Sequence, residues 1–134
     1  MNKDILVIDD EPGVLKSVAK ALRRKGYSVF EADNPDVALS LFLKRLPQLV
    51  ITDCTAGYYC ALEHYRMEEE NKNLIEAIKE MQEDAGIIVM SGYFSKHEIE
   101  QCNAAGAFRC LDKPFSPGEP ISSVEEYFKE SGLP

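Results

Sequence analysis

The sequence predicts an α/β fold: a doubly wound, five-stranded parallel sheet in the order 2-1-3-4-5, with helices on both faces. Two observations carry this prediction. Short apolar runs recur at Ile5 to Ile8, Val29 with Phe30, Leu49 to Ile51, Ile87 to Met90 and Ala107 to Leu111. They are strand-length and mostly uninterrupted, as parallel strands covered on both faces require, whereas a half-exposed antiparallel strand would alternate. The segments between them carry helical apolar spacing and helix punctuation. Strand and helix therefore alternate five times, and right-handed crossovers wind them into one sheet. The order 2-1-3-4-5 is the one expected at this length, with the topological switch between strands 1 and 3.

The first helix begins near Pro12, because proline suits a first turn. It runs through Val14, Leu15, Val18 and Leu22 on one face and stops at Gly26. Arg23, Arg24 and Lys25 fall in its last turn, where cations favour the negative helix end. The second starts at Asn34-Pro35, a cap followed by a first-turn proline, with Val37, Ala38, Leu41 and Phe42 as its buried stripe and Pro47 marking its end. A third spans Leu74 to Met81, burying Leu74, Ile75, Ile78 and Met81 behind an Asn73/Glu76 capping pair. A fourth covers Lys96 to Ala105 and ends at Gly106. The last, Ile121 to Lys129, offers Ile121, Val124 and Phe128 to the core.

Composition narrows the function. The 134 residues carry 15 Lys plus Arg against 23 Asp plus Glu, a formal net charge of −8, which argues against broad nucleic-acid or anionic-membrane binding. A local basic patch stays open. At this size folding removes roughly two-thirds of the chain's surface from water, so a core forms without disulfide or metal staples. No internal repeat or linker interrupts the chain, which reads as a single domain over 1–134. No stretch reaches the roughly 20 apolar residues of a membrane span, and Met1-Asn2-Lys3-Asp4 is no secretion signal, so a cytoplasmic protein is expected. Cys54, Cys60, Cys102 and Cys110 include no C-x-x-C pair, which predicts reduced thiols rather than a disulfide framework or zinc ribbon.

Ligands of open α/β sheets collect beyond the carboxyl ends of the strands. There the sequence places Asp9-Asp10 after strand 1, Thr52-Asp53 at strand 3, Ser91-Gly92 at strand 4 and Asp112-Lys113-Pro114 at strand 5. Two unit charges about 4 Å apart repel by on the order of 4 kcal/mol at an effective dielectric near 20, so converging carboxylates call for a positive partner. A hard divalent cation with oxygen ligands, Mg²⁺ or alternatively Mn²⁺, answers that need, and Lys113 adds a second positive charge. With Ser91 donating to a phosphoryl oxygen, Asp53 is placed to attack phosphorus as a carboxylate nucleophile, giving an aspartyl phosphate. Each residue alone reads as a turn or a cap. Four ordered strand ends carrying acid pair, acid, hydroxyl and lysine do not.

At these residues the sequence resembles the response-regulator receiver domain of two-component signalling. The segments Ile5-Leu-Val-Ile-Asp-Asp-Glu-Pro12, Leu49-Val-Ile-Thr-Asp53, Ile87-Ile-Val-Met-Ser-Gly92 and Leu111-Asp-Lys-Pro-Phe115 carry the likeness, in family order. The resemblance implies that Asp53 accepts phosphate from the phosphohistidine of a sensor histidine kinase or phosphotransfer protein. It implies that Asp10 binds Mg²⁺ directly, Asp9 through water, with Asp53 and the Thr55 carbonyl completing the set. Ser91 and Lys113 match the phosphate-sensing hydroxyl and lysine, and by analogy the Lys113-Pro114 bond is cis. Phosphorylation would draw Ser91 inward and switch the face formed by the fourth helix, fifth strand and fifth helix. That face, including Ile99 and Tyr127, would bind a downstream protein or a second copy, without direct nucleic-acid contact or membrane insertion. The chain would catalyse its own phosphorylation and dephosphorylation without turning over a metabolite.

Two features depart from the family. Asp53 is followed by Cys-Thr-Ala-Gly-Tyr-Tyr-Cys-Ala-Leu-Glu-His instead of the usual Met-Pro and glycine, and an insertion of about 56–72 enlarges the region before the third helix. Within it Ala61 to Glu70 reads as a short helix packing Leu62 and Tyr65. A lid or docking element is the functional alternative, and a metal or haem site at Cys54, Cys60 and His64 lacks a ligand motif. Cys110 replaces the aromatic residue that usually swings inward three positions before the lysine, leaving Phe108 or Tyr93 as substitutes. The alternatives to a phosphoacceptor are a pseudo-receiver, acting as a phosphorylation-independent interaction module, and a metal-dependent phosphohydrolase. The second lacks an Asp two places after Asp53 to protonate a leaving group.

Overall fold

The computed structural model describes residues 3–53, 74–91, 100, 103–104, 106–113, 116 and 118–132, with side chains at all of these except 35, 36, 74–77 and 91. In chain order its elements are β1 (Asp4–Ile8), α1 (Pro12–Arg24), β2 (Ser28–Ala32), α2 (Pro35–Arg45), β3 (Leu49–Asp53), α3 (Leu74–Met81), β4 (Gly86–Ser91), β5 (Arg109–Asp112) and α4 (Gly118–Glu130). The five strands form one sheet in the order β2-β1-β3-β4-β5, and every pairing is parallel. This is the predicted architecture.

Unbroken apolar runs suit this sheet because both of its faces are covered. Leu6 and Ile8 of β1 point to one side, with Val50 and Val89, and pack on Ala38 and Phe42 of α2 and Ile78 of α3. Ile5 and Val7 point to the other, with Ile51 and Met90, against Leu15, Val18 and Leu22 of α1 and Val124 and Phe128 of α4. Each fully buried aliphatic side chain contributes about 1.5–3 kcal/mol. The two clusters fix the strand ends in register, and that register positions the site.

Helix boundaries follow local chemistry. The Asn34 side chain accepts the Val37 backbone N–H at 2.9 Å, capping α2 as expected. Gly26, at φ 95°, lets the chain leave α1 in a left-handed turn. α2 instead ends on Leu46 in that conformation, at φ 45°, which disfavours a residue with a Cβ.

Several expectations need correction. Val37 and Met81 are 40% and 39% exposed instead of buried: Val37 lies in the first turn of α2, to one side of the Ala38–Phe42 stripe, and Met81 is the last residue of α3. The last helix starts at Gly118, a turn before Ile121, since Pro120 falls among the first N–H groups, which need no intrahelical partner. Tyr127, assigned to a partner face, is 8% exposed and joins the core. Most of the fourth predicted helix lies outside the described residues, with Asn103 and Ala104 helical before Gly106 at φ 109°. Asn73, Ile99, Tyr93 and the insertion at 56–72, with Cys54, Cys60, Leu62, His64 and Tyr65, also lie outside them.

Candidate functional site

The register of the three central strands brings the acids together. Ile8 pairs with Thr52, so Asp9 and Asp53 are the next residues along neighbouring strands. The Asp9 backbone N–H continues the ladder by donating to the Ala32 carbonyl at 3.1 Å, which holds it at the edge of the core. Asp9 is fully buried and Asp53 is 4% exposed, whereas Asp10 faces solvent. Carboxylate oxygens of Asp9, Asp10 and Asp53 lie within 4.8 Å of one another.

Lys113 reaches this cluster from the end of β5. Its Nζ donates to Asp9 Oδ2 at 2.8 Å and lies 3.4 Å from Glu11 Oε1, with only a tenth of the side chain exposed. The other Asp9 oxygen accepts the Glu11 backbone N–H at 2.8 Å. Burial alone pulls the Lys113 ammonium down, but the hydrogen bond to Asp9 and the charges of Asp9, Glu11 and Asp53 outweigh it and hold it above its ordinary value. Lys113 is therefore a permanent cation at neutral pH.

One ammonium does not balance three carboxylates. Desolvation, followed by the charges of Asp9 and Asp10 and a hydrogen bond with Asp10, pushes Asp53 up to about 7, against the lowering pull of Lys113. A divalent cation relieves that repulsion. The donor set fits one: three hard carboxylate oxygens converge, two on buried side chains and one on an exposed side chain, and hard oxygen donors suit Mg²⁺, Mn²⁺ or Ca²⁺.

Of the sequence-predicted site residues, Asp9, Asp10, Asp53 and Lys113 converge. Ser91 ends β4, beside Asp112 and one step past the Met90 partner of Asp53; its side chain lies outside the described residues. Thr55 and Pro114 lie outside them as well. Glu11 had no assigned role, yet it sits within reach of the lysine. Its signal in the sequence is its position: a glutamate directly after the acid pair, at a helix start where a shorter capping residue is usual.

A parallel sheet of this order, with acids at the ends of two of its central strands and a lysine at the end of an edge strand, defines a class of protein. The chain belongs to the response-regulator receiver family, and the model of the response regulator receiver domain matches residues 5–57. It is a receiver of two-component or phosphorelay signalling. It is 27% identical over 127 residues to sporulation initiation phosphotransferase F of Bacillus subtilis, covering 95% of this chain and 94% of that one. It is 26% identical to the phosphate regulon transcriptional regulatory protein PhoB of Pseudomonas aeruginosa, spanning 98% of this chain but 54% of that longer protein. A response regulator from Burkholderia pseudomallei, solved with a phosphorylated aspartic acid, a calcium ion and citrate, superposes with a TM-score of 0.72 at 28% identity, over 97% of this chain and 73% of that one.

Proposed function

We propose that Asp53 is the phosphoacceptor of this receiver, that Asp9, Asp10 and Asp53, with the Thr55 carbonyl, hold Mg²⁺ or Mn²⁺, and that Lys113 and Ser91 bind the phosphoryl oxygens. The observation that supports this most is the convergence of three carboxylates with the Lys113 ammonium at one sheet edge. The phosphorylated aspartic acid and calcium ion of the Burkholderia relative supply a chemical precedent.

In the step itself, an Asp53 carboxylate oxygen attacks phosphorus in line with the phosphorus–nitrogen bond of a phosphohistidine. That bond breaks, the imidazole leaves and takes a proton from water, and Asp53 becomes an aspartyl phosphate. When bound, the divalent cation supplies positive charge to the phosphoryl oxygens and keeps Asp53 ionised. Lys113 neutralises a second oxygen and exchanges one carboxylate contact for it. The Ser91 hydroxyl donates to a third. Asp9 is fixed at both oxygens and orients the lysine instead of reacting. The protein contributes position and charge and needs no histidine of its own.

The donor on this reading is a sensor histidine kinase or a phosphotransfer protein, which sets the protein in the cytoplasm. Among the described residues no helix is long and apolar enough to cross a membrane. Phosphorylation biases a pre-existing equilibrium of the face formed by β5, α4 and the segment before β5, toward a downstream protein or a second copy. Tyr127 is not part of that face, because its ring is buried.

The test is incubation with acetyl phosphate and Mg²⁺ followed by intact-mass measurement. A gain of one phosphoryl group in the wild type, absent from Asp53→Asn and abolished by chelation, is the expected result. No gain in either would make the chain a pseudo-receiver, and multiple turnover of a small phosphoester would make it a phosphohydrolase.

A further inference from the structure

Glu11 occupies the N-cap of α1 but its side chain caps nothing. Short side chains serve at such positions because they reach the N–H of the second or third helical residue. The longer glutamate carries its carboxylate elsewhere: Oε1 lies 3.4 Å from Lys113 Nζ. Its backbone N–H is fixed on Asp9 Oδ1 at 2.8 Å, so the start of the side chain is set by the same aspartate that holds the lysine. Two carboxylates of one loop thus hold the ammonium, a buried one at 2.8 Å and a half-exposed one at 3.4 Å. An ammonium has three N–H donors, and here two face protein carboxylates before any phosphoryl oxygen arrives.

We propose that Glu11 is a positioning residue that restrains Lys113 and places a negative charge at the mouth of the Asp53 site, so that it opposes entry of an anionic phosphodonor. This rests on the receiver reading of the site. The helix does not depend on the Glu11 carboxylate for a cap, so neutralising it leaves α1 intact. What changes is the field met by the donor and the freedom of Lys113 to turn toward it. An exposed charge acts weakly and is screened by salt, which limits the effect to a small factor that depends on donor charge.

The experiment follows the initial rate of phosphoryl uptake by the wild type, Glu11→Gln and Glu11→Asp, with Mg²⁺ and either doubly charged acetyl phosphate or singly charged phosphoramidate. Glu11→Gln is expected to raise the second-order rate constant for acetyl phosphate about two- to fivefold and that for phosphoramidate by less, with the gain shrinking at about 0.5 M salt. Glu11→Asp keeps the charge but draws it back toward the α1 N–H groups and away from Lys113, and is expected to fall between the wild type and Glu11→Gln. Equal rates for the wild type and Glu11→Gln with both donors would overturn the proposal, as would a gain in Glu11→Gln that is the same for both donors and unchanged by salt, since charge would then not be the cause. Absence of uptake by the wild type would bring down the receiver reading itself, and the proposal with it.

Discussion

Asp53 carries the largest electrostatic cost among the described residues of the site, and the sign of that cost is testable. Its carboxyl is pushed from 3.8 up to about 7 by burial and by Asp9 and Asp10. Between those values the folded chain keeps a proton that the unfolded chain has released, so in metal-free protein this group's contribution makes stability fall as the pH rises from about 4 to about 7. Asp53→Asn removes the conflict. In chelator, at pH 8, the variant is expected to be more stable than the wild type by on the order of 1–2 kcal/mol once solvent screening is counted. The difference should vanish near pH 4 and narrow when Mg²⁺ binds the wild type. Urea unfolding at the two pH values measures it; an Asn variant no more stable than the wild type at pH 8 would mean that the three carboxylates do not repel as their geometry implies.

At the scale of elements, the ends of helices and strands decide more than their middles. Leu46 closes α2 in a left-handed conformation, half exposed, where glycine is the usual residue. Leu46→Gly is therefore expected to stabilise the fold by about 0.5–1 kcal/mol in thermal unfolding, despite the loss of an apolar side chain. Far from the site, Tyr127 of α4 donates its hydroxyl to the Asp84 carbonyl at 3.1 Å and accepts from Gln48 Nε2 at 3.0 Å. Its ring lies where a Cβ on Gly86 would fall, 2.2 Å from Tyr127 Cε1. Gly86→Ala is expected to cost about 2–3 kcal/mol by overpacking. Much of that loss should be recovered when Tyr127→Leu is added, and a double-mutant cycle in denaturant that came out additive would contradict the contact.

These same elements show what the sequence made legible. Apolar runs with no alternation disclosed the strands, and the residues that follow them disclosed Asp9, Asp10, Asp53 and Lys113, because a parallel sheet puts every strand's carboxyl end on one edge. Tyr127 was misassigned because a phenol suits either core or surface. Its hydrogen-bond partners are distant in sequence, Gln48 being 79 residues away, and no local pattern announces them. Val37 and Met81 failed for a simpler reason: helical spacing marks a face, but not how far along it the sheet extends. Glu11 was overlooked because a carboxylate beside two others reads as one more acid until the lysine's position is known.

For the whole molecule, parallel strand order and two-sided burial serve one end: they place charges that repel one another at a single edge and hold them there. Both edge strands are flanked by arginine ion pairs: Arg23 of α1 pairs with Glu31 of β2 and donates to the Val29 carbonyl at 2.7 Å, and Arg109 of β5 pairs with Glu126 of α4. Charged edges discourage strand pairing with another chain. The most direct measurement of the central claim is reductive trapping of the acyl phosphate with borohydride after phosphorylation in Mg²⁺, followed by peptide mass spectrometry. The reduced residue is expected at position 53 alone and absent when Lys113→Ala removes the ammonium; a label at another carboxylate, or one that survives in Asp53→Asn, would contradict the account.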